Sequence, residues 1–102
     1  MPENQEDSDH LHTFTSVFSH PVRIKLLAFI ADNPATRTEI MARELGEPRS
    51  GLGRHLRILE VHSLATCDIP HEHRARRSGR WTAEVARLRA VLAAFDEVRP
   101  KV

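Results

Sequence analysis

The sequence predicts a mainly α domain of the α+β class, with about five helices and one short β-hairpin. Apolar residues recur at intervals of three and four along five segments of the chain, which is the spacing of amphipathic helices. Gly46 and Pro48 separate two of these segments by a tight turn. Two strand-forming segments, 64–69 and 80–82, flank a polar loop and indicate the hairpin. The 102 residues suffice for a single domain, which we place at residues 10–100.

The first nine residues are predicted to form an acidic, disordered tail. They contain Glu3, Glu6, Asp7 and Asp9 and no basic side chain. Ordered structure is expected to begin near His10, where a first amphipathic helix runs to about residue 20.

The second helix is expected to lie in the centre of the core. Pro21 has the fixed φ of a first helical turn, and the Asn-Pro pair at 33–34 ends the helix. The residues between them are apolar over most of the helix circumference, so only Arg23, Lys25 and Asp32 require solvent.

The third helix carries start and stop signals in the sequence. Thr36 and Glu39 have the spacing of a capping box, in which each side chain accepts a hydrogen bond from the backbone N–H of the other residue. Gly46 can take the left-handed conformation that ends a helix, and the fixed φ of Pro48 suits the first turn of the next one. The chain is therefore expected to turn sharply between residues 46 and 48.

The fourth helix, predicted at 49–60, combines an apolar seam with basic residues displaced from it. Leu52, Leu56 and Leu59 form the seam at spacings of four and three. Two short helices joined by a tight glycine turn, the second of them basic, are the arrangement that places a helix in the major groove of DNA.

The remainder of the chain predicts the hairpin and a last helix. A strand within 64–69 is followed by a polar, arginine-rich loop at 70–79 and a return strand near 80–82. An amphipathic helix then occupies about 83–97, and Pro100 closes the fold.

Positive charge is concentrated in one part of the chain, although the formal net charge is only +1. Residues 49–80 contain seven arginines against three carboxylates, which leaves a local excess of four positive charges. A polyanion such as DNA is expected to bind there.

With these elements in order, the chain resembles the ArsR-type bacterial repressors. The similar segments are 18–27, 39–46 and 50–59, the last leading into Ser63-Leu64, and together they cover most of residues 14–95. The triplet Arg54-His55-Leu56 followed by Leu59 is the most specific part. The resemblance implies a winged helix-turn-helix fold, and a homodimer that represses transcription by occupying operator DNA.

Two glycines depart from that resemblance. Gly51 and Gly53 occupy positions where such repressors usually carry hydroxyl residues that help to contact DNA, and each glycine inside a helix costs about 1 kcal/mol relative to alanine. Either they permit close backbone approach to phosphate, or the helix is suboptimal and reads DNA through fewer contacts.

Eight residues are predicted to contact DNA, with helix 49–60 in the major groove and wing 70–80 on the backbone or in the minor groove. The strongest single candidate is Arg54, whose guanidinium can pair with guanine or phosphate. For His55, a partly buried histidine that bonds the backbone is an equal alternative. For Ser50, helix capping is the preferred role. The eight are Arg49, Ser50, Arg54, His55, Arg57, Arg74, Arg76 and Arg77.

Dimerisation is expected through the two terminal helices, near 10–20 and 83–97. Their apolar stripes exceed what a small core can cover, although the alternative is that they cover only that core. The predicted interface residues are Leu11, Phe14, Phe18, Leu88, Val91, Leu92 and Phe95.

We predict no metal site and no cofactor, although the chain has seven histidines. A thiolate-based metal site would need a pair of closely spaced cysteines in the third helix, which has none. A site on the last helix would need histidine ligands, and that helix has no histidine. Two sets supply zinc-type ligands without a recognisable spacing and remain a minority alternative: His71, Glu72 and His73 with His62 and Cys67, and Asp9 with His10 and His12. Otherwise His71 and His73 would add positive charge to the wing as pH falls towards 6.

The composition also bounds the class of protein. No phosphate-binding glycine loop and no nucleophile with a base are recognisable, so we do not expect an enzyme. The single cysteine, the lack of a long apolar run and the lack of a signal segment predict a cytoplasmic protein. The predicted function is a DNA-binding transcriptional repressor; the alternative is a winged-helix module for protein interaction or non-specific nucleic-acid binding. The operator, the regulated genes and any small-molecule, metal or redox effector stay open.

Overall fold

The computed structural model describes residues 5–74 and 79–98, and it has the predicted mainly α architecture with a small sheet. The elements, in chain order, are α1 (Gln5–Phe18), α2 (Pro21–Asp32), β1 (Thr36–Arg37), α3 (Thr38–Leu45), α4 (Arg49–Val61), β2 (Ala65–Cys67), a short 3₁₀ turn (His71–His73), β3 (Arg80–Ala83) and α5 (Val85–Val98). This is the order of a winged helix-turn-helix, in which α3 and α4 form the helix-turn-helix and β2 and β3 form the wing.

Helix α1 begins at Gln5, about five residues before the predicted start near His10. Residues 5–9 therefore belong to a helix, and the prediction that they form a disordered tail is wrong. The first four residues lie outside the described part of the chain, as does Pro100.

Helix α2 lies in the core as predicted. Pro21 occupies its first turn, and the backbone N–H of Asn33 bonds back to the carbonyls of Phe29 and Ile30 where the helix ends. Leu26 and Ile30 are almost completely buried. Both boundaries therefore follow from the signals in the sequence.

The capping box predicted at Thr36 and Glu39 is wrong. Thr36 lies in strand β1, is buried and pairs with Trp81 of β3, and α3 begins two residues later with no side-chain cap. A β-branched threonine buried against an aromatic cross-strand partner suits a sheet better than a helix cap. This third strand has no counterpart among the sequence predictions.

The turn between α3 and α4 has the predicted geometry. Gly46 adopts φ +67°, and the backbone N–H groups of Gly46 and Glu47 donate to the carbonyl of Ala42. Pro48 immediately precedes α4 and serves as its N-cap residue. The glycine thus reverses the chain so that α4 can cross α3.

The sheet has the order β1-β3-β2, with all neighbours antiparallel. The central strand β3 pairs Trp81 with Thr36 on one side and with Cys67 on the other. Because Trp81 is buried against the helical core, the sheet fixes the base of the wing close to α4.

Helices α1 and α5 pack on each other through stacked aromatic rings. The ring of Phe14 lies 4.1 Å from that of Phe95 and 4.6 Å from that of Phe18, measured between centroids. Val91 of α5 is fully buried in the core of the single chain. The two terminal helices therefore form one layer, on which the rest of the domain packs.

Candidate nucleic-acid interface

The first half of α4 presents polar side chains to solvent, opposite its buried seam. Leu52, Leu56 and Leu59 are fully buried as predicted, whereas Arg49, Ser50 and Arg54 are exposed. Within the described residues, Arg54 has no hydrogen-bond or ion-pair partner. The helix therefore offers cationic and hydroxyl donors on its outer face.

The two glycines of α4 leave open space on this helix. A Cβ atom added to Gly51 or to Gly53 would meet nothing within 4 Å. Neither glycine is required by a close contact inside the protein, and neither has a positive φ. The lack of a side chain at these two positions therefore affects only the stability of α4 or its contacts with a binding partner.

A groove of about 650 Å³ lies between the first half of α4 and the base of the wing. Leu56 and Trp81 contribute to its lining, and no described lining residue is acidic. The basic residues of its lining are Arg49, Arg54, Arg57, His71 and Arg74. The groove is therefore suited to an anion.

Arg74, which was predicted to contact DNA, is engaged in contacts inside the protein. Its two terminal nitrogens donate to the two oxygens of Glu60 at 2.8 and 2.5 Å, and its Nε donates to the carbonyl of Ile69 at 2.7 Å. The guanidinium also lies over the ring of Trp81, 4.8 Å from its centroid. With all these partners, Arg74 fastens the base of the wing to the end of α4.

The ion pair also explains the state of Glu60. The hydrogen bonds from Arg74 lower the pKa of Glu60 to about 2, against the opposing effect of burial, and a hydrogen bond from Arg57 adds to this. Arg57 donates to Glu60 Oε1 at 2.8 Å but keeps nearly half of its side chain exposed. The exposed part of Arg57 can therefore contact an anion, although its guanidinium is also paired with Glu60.

His55 is held inside the protein, which favours the internal role over a contact with phosphate. Its Nδ1 accepts a hydrogen bond from Nε of Arg23 at 3.2 Å, and its side chain is half-buried. Burial lowers the pKa of His55, and the positive charge of Arg23 lowers it further. Arg23 was predicted to require solvent, but it is half-buried and also donates to the carbonyl of Ser16.

A second histidine connects the far end of α4 to the terminal helices. His62 Nδ1 lies 3.3 Å from the hydroxyl of Thr13, which accepts from Arg87 at 3.2 Å. The ring of His12 lies 5.9 Å from that of His62. Burial, followed by the charge on His12, lowers the pKa of His62. The end of α4 is thus attached to α1 through His62.

Two exposed arginines missed by the sequence analysis lie on the sheet, next in sequence to residues that line the groove. Arg37 of β1 and Arg80 of β3 are register partners, so two cations face each other across the sheet. Like charges at such positions repel, and an anion between them would relieve the repulsion. Arg37 precedes Thr38 and Arg80 follows Gly79, both of which line the groove. The sequence analysis did not bring these two arginines together, because it did not predict strand β1.

The predicted dimer residues divide into buried and exposed members. Val91 is buried in the chain's own core and has no surface for a partner. Leu11, Phe14, Phe18 and Leu88 are half-buried. Leu92 and Phe95 remain 41% and 37% exposed.

Arg76 and Arg77, the other wing residues predicted to contact DNA, lie outside the described residues. In residues 5–74 and 79–98, no three histidine, cysteine, aspartate or glutamate side chains are placed to hold a metal ion together. None of the helices in these ranges is long and apolar enough for a membrane span.

Comparison with known proteins identifies the helix-turn-helix. A family profile described as "Helix-turn-helix domain" matches residues 18–68, which is half of the chain and runs from the end of α1 to the strand after α4. No curated protein sequence matches the chain.

Solved structures with the same fold include several regulators. NolR from Sinorhizobium fredii is 16% identical over 96% of each chain, with a TM-score of 0.65. An ArsR family transcriptional regulator is 18% identical over 95% of this chain and 91% of its own, with a TM-score of 0.69. CouR, a transcriptional repressor bound to a 23-mer DNA duplex, is 22% identical over 92% of this chain and 65% of its own, with a TM-score of 0.61. These similarities confirm the predicted fold.

Proposed function

We propose that this chain, which belongs to the helix-turn-helix domain family, is a DNA-binding transcriptional regulator that acts as a homodimeric repressor. Its fold is the ArsR-type winged helix-turn-helix fold. In the proposal, α4 enters the major groove and the wing lies on the backbone or in the adjacent minor groove. Such a regulator would work in the cytoplasm, and an unidentified small molecule or metal remains open as its effector.

The observation that carries the proposal is the groove between α4 and the wing. Its described lining is basic and contains no carboxylate, and Arg54 lies at its edge without an internal partner. Arg57 and Arg74 at this groove are paired with Glu60, whereas the described residues give Arg54 no hydrogen-bond or ion-pair partner, so its positive charge is not offset inside the protein. A polyanionic partner supplies the missing negative charge.

The structure refines which residues we propose for each role. Arg54 and Arg49 are assigned to base edges, where an arginine fork can donate to O6 and N7 of guanine. Ser50, Arg57 and His71 are close enough to the groove to contact phosphates. Arg37 and Arg80 join them as proposed phosphate contacts, and the wing residues Arg76 and Arg77 keep the assignment made from the sequence. Arg74 and His55 are no longer proposed as DNA contacts.

The dimer is proposed to form through the exposed parts of α1 and α5. Leu92 and Phe95, together with Phe14 and Phe18, form one apolar aromatic surface on these helices. A two-fold dimer would set the two copies of α4 about 34 Å apart, one turn of DNA. A duplex of the length bound by CouR, 23 nucleotides, spans two such major grooves. A pseudo-palindromic operator is therefore expected.

The test compares DNA from upstream of the chain's own gene with a scrambled duplex of equal length, over a series of salt concentrations. Arg54→Ala should weaken binding to the upstream DNA by about 1 to 3 kcal/mol and bind scrambled DNA as the unaltered protein does. Arg80→Ala should weaken binding to both duplexes equally and reduce the salt dependence. Arg89→Ala, at an exposed position on α5, is the matched control and should leave both affinities unchanged.

The alternative function is a winged-helix module for protein interaction or non-specific nucleic-acid binding. The bare surface of α4 at Gly51 and Gly53 favours it, because fewer side chains are available to read bases. Equal binding to both duplexes, with Arg54→Ala and Arg80→Ala having the same effect, would favour non-specific binding. No binding to either duplex at low salt would contradict the proposed function.

A further inference from the structure

The side chain of Arg23 connects three helices at the base of the helix-turn-helix. Arg23 lies on α2, and its Nε donates to Nδ1 of His55 on α4 at 3.2 Å. One of its terminal nitrogens donates to the backbone carbonyl of Ser16 on α1. One half-buried guanidinium on α2 thus links α4 to α2 and to α1.

The direction of the bond defines the protonation state of His55. An arginine side chain only donates hydrogen bonds and does not lose its proton in proteins, so the Nδ1 atom must be the acceptor. His55 is therefore neutral in this structure and carries its proton on Nε2. A proton added to Nδ1 would remove the acceptor and place an imidazolium against the guanidinium of Arg23.

The surroundings of His55 do not offset a second positive charge. Arg23 of α2, Arg54 of α4 and His20, whose ring lies 6.1 Å away, all oppose protonation, and only Glu47 in the α3–α4 turn favours it. Burial acts in the same direction as the cations, and the pKa of His55 is accordingly below its usual value. Protonation would therefore strain the junction rather than stabilise it.

We propose that Arg23 and His55 are a positioning pair, which holds α4 at its working angle to α1 and α2 only while His55 is neutral. The inference rests on the proposed DNA binding. Since His55 directly follows Arg54, a shift of α4 at this bond moves the arginine assigned to base reading. Acidification from about pH 7.5 to about pH 5.5 then weakens operator binding through His55, although added positive charge at a DNA surface would by itself strengthen it.

His55→Asn separates positioning from direct contact. The side-chain oxygen of asparagine can occupy nearly the position of Nδ1 and accept from Arg23, but it does not titrate. At about pH 7.5 this variant should bind upstream DNA as the unaltered protein does. At about pH 5.5 it should bind about three to ten times more tightly than the unaltered protein, the effect of one lost hydrogen bond. His55→Ala, which has no acceptor, should bind weakly at both pH values.

His73→Asn is the matched control, because His73 is exposed in the 3₁₀ turn of the wing and faces none of these groups. This variant should lose affinity for upstream DNA on acidification as much as the unaltered protein does, because its His55 is intact. Equal pH dependence of His55→Asn and the unaltered protein would overturn the inference. So would binding that tightens on acidification in the unaltered protein but not in His55→Asn, because His55 would then contact DNA directly.

A measurement without DNA distinguishes failure of this inference from failure of the proposed function. In the free protein, the NMR signal of the Arg23 Nε–H group should shift with the same midpoint as the ring signals of His55, and in His55→Asn it should not shift over this range. If the Arg23 signal does not change as His55 titrates, the inference of a positioning pair is overturned. Coupled signals in a protein that binds neither duplex would support the pair and contradict DNA binding.

Discussion

Replacing Glu60 by glutamine tests whether one carboxylate holds the wing against α4. Glu60 lies near the end of α4 and accepts from Arg74 at the base of the wing and from Arg57 one turn earlier on its own helix. Glutamine keeps the size of the side chain but removes its charge, so Arg74 would lose a paired carboxylate while remaining half-buried. We expect Glu60→Gln to destabilise the protein and loosen the wing.

The magnitude follows from the pKa of Glu60, which falls from an ordinary 4.5 to about 2 in the folded protein. At about 1.4 kcal/mol per pKa unit, this difference corresponds to about 3 kcal/mol of stability at neutral pH, which is an upper bound. The side chains of Glu60 and Arg74 remain 20% and 17% exposed, so water screens part of the interaction. We therefore expect a loss of about 2 kcal/mol.

The pH dependence has the same sign as that expected for the His55 junction, because acidification removes both stabilising contacts, but it lies in a more acidic range. Because the pKa of Glu60 is lower in the folded than in the unfolded state, its stabilising effect is complete above about pH 5 and is lost as pH falls from 4.5 towards 2. The difference in unfolding free energy between the unaltered protein and Glu60→Gln should therefore shrink over this range.

Urea denaturation at a series of pH values measures this difference. Glu44→Gln is the matched control, because Glu44 pairs with Arg43 at 3.7 Å with both side chains more than half exposed, and it should change stability by less than about 0.5 kcal/mol. The reasoning would be refuted by a loss for Glu60→Gln no larger than that of Glu44→Gln, or by a loss that stays constant from pH 7 to pH 3.

Three further substitutions test other parts of the fold. Gly53→Ala should raise the unfolding free energy by about 1 kcal/mol in urea denaturation, since its Cβ meets nothing within 4 Å, and a loss of stability would contradict this. Gly79→Ala should destabilise by about 1 to 3 kcal/mol, because its Cβ would lie 2.1 Å from Sγ of Cys67; a Cys67→Ala background should recover part of that loss, and full additivity of the two changes would contradict the clash. Leu92→Glu should convert the proposed dimer to a monomer in sedimentation equilibrium, and an unchanged dimer mass would exclude α5 from the interface.

The helices were predictable because their signals are local. Gly46, with its positive φ, ends α3 where the sequence indicated, and the spacing of Leu52, Leu56 and Leu59 identified the buried face of α4. The sequence around Thr36 carried an equally good local signal, but it was overridden by pairing with Trp81, 45 positions away in the chain. Whether such a segment forms a capping box or a strand depends on contacts with distant residues, which a local sequence pattern does not contain.

The candidate site was predictable in position but not in the partner of each side chain. A basic helix followed by a basic loop correctly indicated where positive charge lies, and Arg54 is exposed as expected. The roles of Arg74 and His55 depend on Glu60 and Arg23, which are 14 and 32 residues distant in sequence. Of the contacts of Glu60, only the one with Arg57 has a local spacing, of one helical turn.

Folding also changes what the local charge excess means. Glu60 pairs with Arg57 and Arg74, and the side chain of Asp68 accepts the backbone N–H of Arg80 at 2.8 Å, so both carboxylates are occupied at the base of the wing. The carboxylates thus stabilise the hairpin, while the cationic side chains of Arg54 and Arg80 remain exposed. A protein of net charge +1 can therefore present a basic surface, because Glu60 and Asp68 are held in structural contacts while Arg54 remains exposed at the groove.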